Sequence, residues 1–189
     1  VQKAVDAEPD ALVVGAADVS CAPAMEAVAD LDLEVPVYMV GACADKKWLD
    51  QVGVDNAVGT IFNIEGRLNQ RGVDSADTEI YRAAVDEYGP KGLNPAGAAT
   101  VSFRSAMNLW AVLDELGPEA TSKDIIATFR EAVDHPSFDG HPYTCDGKQV
   151  PDLPALCAPQ QVLAELTGPG EFAEISDGWV DVAELLNQQ

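Results

Sequence analysis

Three short apolar runs constrain this chain more than any other feature. They are Ala11-Leu12-Val13-Val14-Gly15, then Pro36-Val37-Tyr38-Met39-Val40, then the segment from Ala57 to Ile64. Each has strand length, and none alternates apolar with polar residues. Continuous runs of this kind predict strands buried on both faces of a sheet. Helix signals lie between them. Ser20 is placed to cap a helix from Cys21 to about Asp30, with Pro23 tolerated in its first turn. Asp45 is placed to cap a short helix through Gln51, ended by Gly53. Strand, helix, strand, helix, strand with short loops makes successive βαβ units and a parallel sheet.

The second half reads differently. Residues 67–75 are polar and predict a loop. Residues 76–88 carry Ile80, Ala84 and Tyr88 on one face of an amphipathic helix. Residues 96–116 predict a long helix with Val101, Ala106, Leu109, Leu113 and Leu116 mostly on one side, stopped by Gly117-Pro118. Thr121 caps a third helix over 122–133. From Asp134 onward the chain is rich in Pro and Gly. Residues 161–166 and 172–175, separated by Thr167-Gly168-Pro169-Gly170, predict a hairpin.

Charge and length then exclude partners. The 189 residues suffice for one domain or two small lobes. Eleven basic residues stand against 32 acidic ones, a net charge of −21. Nucleic acid needs the opposite balance, and an anionic membrane surface is disfavoured too. No apolar run is long enough to span a bilayer. Val1 is not an initiator methionine, so the chain is read as starting downstream of the true N-terminus or as processed.

Four cysteines, Cys21, Cys43, Cys145 and Cys157, form no Cys-x-x-Cys pair, which argues against a thioredoxin motif or zinc knuckle. The even count permits two disulfides in three connectivities; the alternative is four buried thiols in a cytosolic protein. Cys145 and Cys157 flank a stretch rich in turn residues, and a disulfide closing that loop is the natural reading. The spacing favours an extracytoplasmic compartment.

The sequence holds no G-x-G-x-x-G, no P-loop, no G-x-S-x-G and no H-E-x-x-H. His135 and His141, in the Pro-rich region, read as structural. The expectation is no enzyme, no cofactor and no metal. What remains is loop geometry. In an open parallel sheet, ligands bind beyond the carboxyl ends of the strands. Those positions are Ala17, Asp18 and Ser20 after the first strand and Ala44 and Asp45 after the second. Asp18 and Ser20 also read as helix caps, and Asp45 reads more strongly as one. Cys21 and Cys43 leave the same edge of two strands expected to adjoin, so a bridge there would brace it.

Several phrases in order resemble one family. They are Asp10-Ala11-Leu12-Val13-Val14-Gly15-Ala16, Val35-Pro36-Val37-Tyr38-Met39-Val40-Gly41, Gly59-Thr60-Ile61-Phe62, Tyr81-Arg82 with Glu87-Tyr88-Gly89, and Ser105-Ala106-Met107-Asn108-Leu109-Trp110. Leu113-Asp114-Glu115-Leu116-Gly117, residues 121–129, Gly170-Glu171-Phe172-Ala173-Glu174-Ile175 and Gly178-Trp179 complete the series. Together they resemble the C-terminal half of a type I periplasmic-binding protein, of the Leu/Ile/Val-type substrate-binding proteins of ABC transporters. The cysteine pairs resemble a variant of actinobacterial extracellular members.

The resemblance implies an α/β fold of two Rossmann-like parallel-sheet lobes joined by a hinge, here only partly present. Residues 1–63 and 160–189 would form lobe 2 without its N-terminal strand. Residues 64–66 would be a hinge crossover, with Glu65 lining the hinge as a ligand contact, and 67–159 the C-terminal part of lobe 1 with the return crossover. The N-terminal half of the protein would be absent. The implied function is the extracytoplasmic solute-binding component of an ABC importer, periplasmic or a cell-surface lipoprotein. It would be a monomer that binds a small organic solute, docks on a transporter permease and does no chemistry. A ligand-sensing domain of the same fold and a Rossmann-type enzyme are the alternatives. Leucine-binding relatives carry an aromatic and an acid after two strands of lobe 2. Here those positions fall at Ala17 or Asp18 and near Ala42 or Cys43, so the sequence departs from the amino-acid pattern at both.

Overall fold

The computed structural model describes residues 1–31, 33–64, 75–91, 93, 98–150 and 152–186. After a single helical turn, α1 (Gln2–Val5), come β1 (Leu12–Val14), α2 (Cys21–Ala29), β2 (Val37–Met39), α3 (Lys46–Val52) and β3 (Ile61–Ile64). Three helices follow: α4 (Ala76–Tyr88), α5 (Ala98–Leu116) and α6 (Ser122–Glu131). The chain closes with β4 (Gln160–Gly168), β5 (Glu171–Glu174), β6 (Val180–Asp181) and α7 (Val182–Leu186).

The sheet order is β1-β2-β3-β4-β5, with β6 paired to the start of β4. β1, β2 and β3 are parallel, as the βαβ pattern predicts. β4 returns antiparallel to β3 and forms the expected hairpin with β5. One face of this sheet carries the core: Leu12, Val37, Met39, Phe62 and Leu166 pack against Cys21, Met25, Trp48 and Leu49 of α2 and α3. Phe172 of β5 meets Phe62 edge-on at 6.0 Å. Gly53 ends α3 at φ 85°, a conformation that side chains with a Cβ resist.

A second packing group lies outside that core. Tyr81 of α4, Phe103 of α5 and Phe138 of the following loop form a chain of rings at 5.1 and 5.6 Å. The loop is tied down by polar contacts. Asn108 accepts the Phe138 N–H at 2.7 Å, and Asp77 accepts the Asp139 N–H at 2.7 Å. Thr121 and Asp124 form a reciprocal capping box at the start of α6. Among the described residues no helix is long and apolar enough to cross a membrane.

Several expectations need correction. Val13 is 78% exposed, so β1 is not buried on both faces. Among the described residues, α2 and α3 pack on the face of the sheet that carries Leu12. Ser20 makes no side-chain capping bond, because residues 18–20 form a 3-10 turn that runs directly into α2. The third strand begins at Ile61 rather than Ala57, since a 3-10 turn over Val54–Asn56 and the turn after it take up the preceding residues. On α4 the buried side chains are Thr78 and Tyr81, while Ile80 and Tyr88 are exposed. On α5, Val112 is fully buried and Val101, Leu109 and Leu113 are exposed. Ala84 and Leu116 are half-buried, so the faces that pack deepest on these helices are those of Thr78, Tyr81 and Val112 rather than the expected apolar stripes.

Candidate functional site

Because β1, β2 and β3 are parallel, their carboxyl ends share one edge. The chain leaves β1 through the 3-10 turn Asp18–Ser20 and leaves β2 through another over Gly41–Ala44. Cys21 and Cys43 are disulfide-bonded, with Cα atoms 5.2 Å apart and both side chains fully buried. The bridge holds the two loops side by side, so Ala17, Ser20, Ala44 and Asp45 gather at one edge. Ala17 and Ser20 are exposed, and Ala44 packs partly on the core. The Asp45 carboxylate accepts the Lys47 N–H at 2.8 Å, so it caps α3 as well as standing at the edge. Asp18 lies in its turn by backbone position. Glu65 falls outside the described residues.

Sequence reasoning missed three residues at this edge. β4 is antiparallel to β3, so its first residues lie where β3 ends. Asn63 accepts the Gly41 N–H at 2.9 Å and donates to Gln161 Oε1 at 2.9 Å. Gln160 donates to Asp181 at 2.9 Å; its Oε1 is buried and has no hydrogen-bond partner among the described residues. A carboxylate only accepts, so Asp181 fixes which end of the Gln160 amide faces it. The available signal was Asn63 itself, a polar residue inside Ile61-Phe62-Asn63-Ile64.

Beyond Gln160 and Gln161 opens a cavity of about 1020 Å³ between α5, α6 and the loop up to Ala158. Arg104, Asn108, Phe129, Arg130, His141 and Tyr143 line it. The second disulfide, Cys145–Cys157, closes one wall with Cα atoms 4.5 Å apart. Gln149 donates to the Thr144 and Cys157 carbonyls at 2.6 and 2.9 Å, lacing the same loop. Burial raises the Tyr143 hydroxyl above its ordinary range, and Glu115 adds to the effect. A hydrogen bond from Lys148 holds Asp146 below the usual carboxylate range. His141 meets Trp179 edge-on at 5.5 Å, and His135 lies tilted against Tyr143 at 4.9 Å. Among the described residues no cluster of His, Cys, Asp or Glu is arranged to hold a metal.

This architecture is about half of the type I periplasmic-binding-protein fold. A leucine-binding protein, LivK, from Thermotoga maritima superposes with a TM-score of 0.65 at 14% identity, over 93% of this chain and 46% of its own. A branched-chain amino acid ABC transporter protein from Thermus thermophilus, solved with bound valine, gives 0.65 at 10% identity, over 100% of this chain and 50% of its own. A solute-binding protein of an ABC transporter from R. palustris, in complex with benzoate, gives 0.64 at 14% identity, over 94% and 45%. These neighbours are solute-binding proteins, and the chain spans about half of their length. No family model matches the sequence, and no curated protein does.

Proposed function

We propose that this chain is part of the extracytoplasmic solute-binding component of an ABC importer. Residues 1–63 and 160–189 form one lobe, 64–66 cross a hinge, and 67–159 belong to the other lobe. A small organic solute sits between the lobes and is delivered to a transporter permease without chemical change. The protein acts as a monomer, as a periplasmic protein or a cell-surface lipoprotein. The observation that carries this reading is the convergence of the loops after β1 and β2 on one braced edge. Such edges receive ligands in open parallel sheets, where backbone N–H groups of helix starts point outward. Neighbours solved with valine and benzoate support a small organic solute as the ligand class.

The ligand contacts assigned to this chain are Ala17, Asp18, Ser20, Ala44, Asp45 and Glu65. Asp18 and Asp45 place negative charge at the mouth and favour a neutral or cationic group of the solute on this side. The test is Asp18→Ala in the full-length protein, after a thermal-shift screen has identified a solute. Loss of a hydrogen bond to a charged solute group costs about 1.5–3 kcal/mol, a drop in affinity of about ten- to a hundredfold. Unchanged affinity with lowered stability reduces Asp18 to a helix cap and withdraws the site.

A further inference from the structure

Charge is spread unevenly over this chain. Acidic residues outnumber basic ones 32 to 11, yet the cavity between α5, α6 and the loop up to Ala158 inverts that ratio. Its charged lining is Arg104, Arg130 and Asp146. Asp146 is already engaged: Lys148 donates to it at 3.0 Å from Nζ and at 3.0 Å from its backbone N–H. Each arginine belongs to a helical repeat that faces the space. Arg104 stands one turn before Asn108 on α5, and Arg130 one turn after Ile126 on α6. Gly140 makes room for the first, since a Cβ built there lies 3.4 Å from Arg104 Cδ and 3.6 Å from a guanidinium nitrogen. Among the described residues no ion pair or hydrogen bond engages the Arg130 side chain.

The side-chain amides add donors to this charge. Asn63 spends its oxygen on the Gly41 N–H, so it turns its NH2 to Gln161, and Gln161 answers with Oε1. The Gln161 NH2 is left with no acceptor among the described residues. Gln160 turns its NH2 to Asp181, and its Oε1 is buried. Both ends of the Asn108 amide are spent on Ser137 and Phe138. Beside these groups lies apolar surface from Leu156 and from Phe129, whose ring meets Tyr143 at 5.8 Å. The volume of about 1020 Å³ is at the upper end for a small-molecule site.

We infer that this cavity is a binding site for a small organic anion, whose carboxylate pairs with the arginines of the wall and whose aromatic or aliphatic body lies against Phe129. Arginine suits that head, because its planar fork matches a carboxylate and it stays charged at any physiological pH. The site is separate from the edge formed by the loops after β1 and β2, since Ala17, Ser20, Ala44 and Asp45 do not line the cavity. The charge preferences are opposite too. Asp18 and Asp45 at the edge favour a neutral or cationic group, whereas the cavity favours an anion. The inference therefore stands apart from the importer reading.

The probes are indole-3-acetate and its neutral isostere indole-3-acetamide, titrated calorimetrically into the protein as its own cells produce it. The acid is expected to bind at one site per chain, and the amide at least about tenfold more weakly, as for loss of a hydrogen-bonded charge. Arg130→Gln is expected to weaken the acid by a similar factor and to leave the amide nearly unchanged. Lys46→Gln, on an exposed position of α3, leaves both affinities as they were. No binding of the acid at millimolar concentration overturns the inference. So do equal affinities for acid and amide, or an Arg130→Gln variant that binds the acid as before. Where Arg130→Gln does not stay folded, the unaltered protein carries the test. Phenylglyoxal modification of Arg130, followed by peptide mapping, is then expected to slow with the acid and not with the amide, and unslowed modification overturns the site. Asp18→Ala enters none of these readouts, so the edge assignment stands or falls by its own experiment.

Discussion

Asn63 donates to Gln161 at 2.9 Å across 98 residues of sequence. The same side chain accepts the Gly41 N–H. One amide thus ties the ends of β2 and β3 to the start of β4. Asn63→Ala removes both bonds and leaves a partly buried N–H and an amide oxygen to find other partners. The expected loss is about 1–3 kcal/mol in urea unfolding. Gln161→Ala costs less, because the Gly41 bond survives. A double-mutant cycle with no coupling between the two positions contradicts this account.

Gly41 is constrained by the same junction. A Cβ built there meets the backbone oxygen of Asn63 well inside contact distance. Backbone cannot swing aside as a flexible side chain can. Gly41→Ala is therefore expected to destabilise by about 1–3 kcal/mol, visible as a lower urea midpoint. Gly15, with nothing within 4 Å of a built Cβ, is the comparison: Gly15→Ala moves the midpoint far less.

Non-reducing peptide mapping should return Cys21–Cys43 and Cys145–Cys157 and no crossed pairs. The bridges span sequence separations of 22 and 12 residues. For loops of this size, removing a bridge costs about 3 kcal/mol in the chain-entropy model. Replacing either pair by serines is expected to lower the thermal midpoint in a calorimetric scan. Unmoved midpoints in both variants would falsify a stabilising role.

The capping box of α6 predicts an acid response. Hydrogen bonds from the Thr121 hydroxyl and backbone N–H hold the Asp124 carboxyl below its ordinary range. A group with a depressed folded-state pKa stabilises fully above its unfolded value and loses that contribution as pH falls through the folded one. The difference in stability between the parent and Asp124→Ala should therefore be constant near neutral pH and shrink in strongly acidic solution. Thr121→Ala removes the cap itself and costs about 1 kcal/mol at neutral pH. A difference for Asp124→Ala that widened on acidification would contradict the assignment.

The α/β half of the fold was legible because it is locally encoded. Continuous apolar runs gave β1, β2 and β3, and Asp45 and Thr121 cap the helices they were expected to cap. The hairpin from Gln160 to Glu174 was marked by its Gly-Pro-Gly turn. What failed was burial. A periodic stripe shows that a helix has an apolar face but not that anything lies on it, and Ile80, Tyr88, Leu109 and Leu113 are exposed. The candidate edge was legible from topology, but Asn63, Gln160 and Gln161 were not. Their roles come from a pairing of β3 with β4 between segments far apart in sequence, which no local pattern announces.

The bond between Cys21 and Cys43 has a consequence for how the sheet edge responds to whatever docks there. The loop after β1 and the loop after β2 would otherwise explore positions independently, and each would have to be immobilised separately. Joined through sulfur, they behave as a single body with one set of rigid-body motions. A docking molecule that orders one loop has already ordered the other, so the entropic penalty of association falls on one unit instead of two.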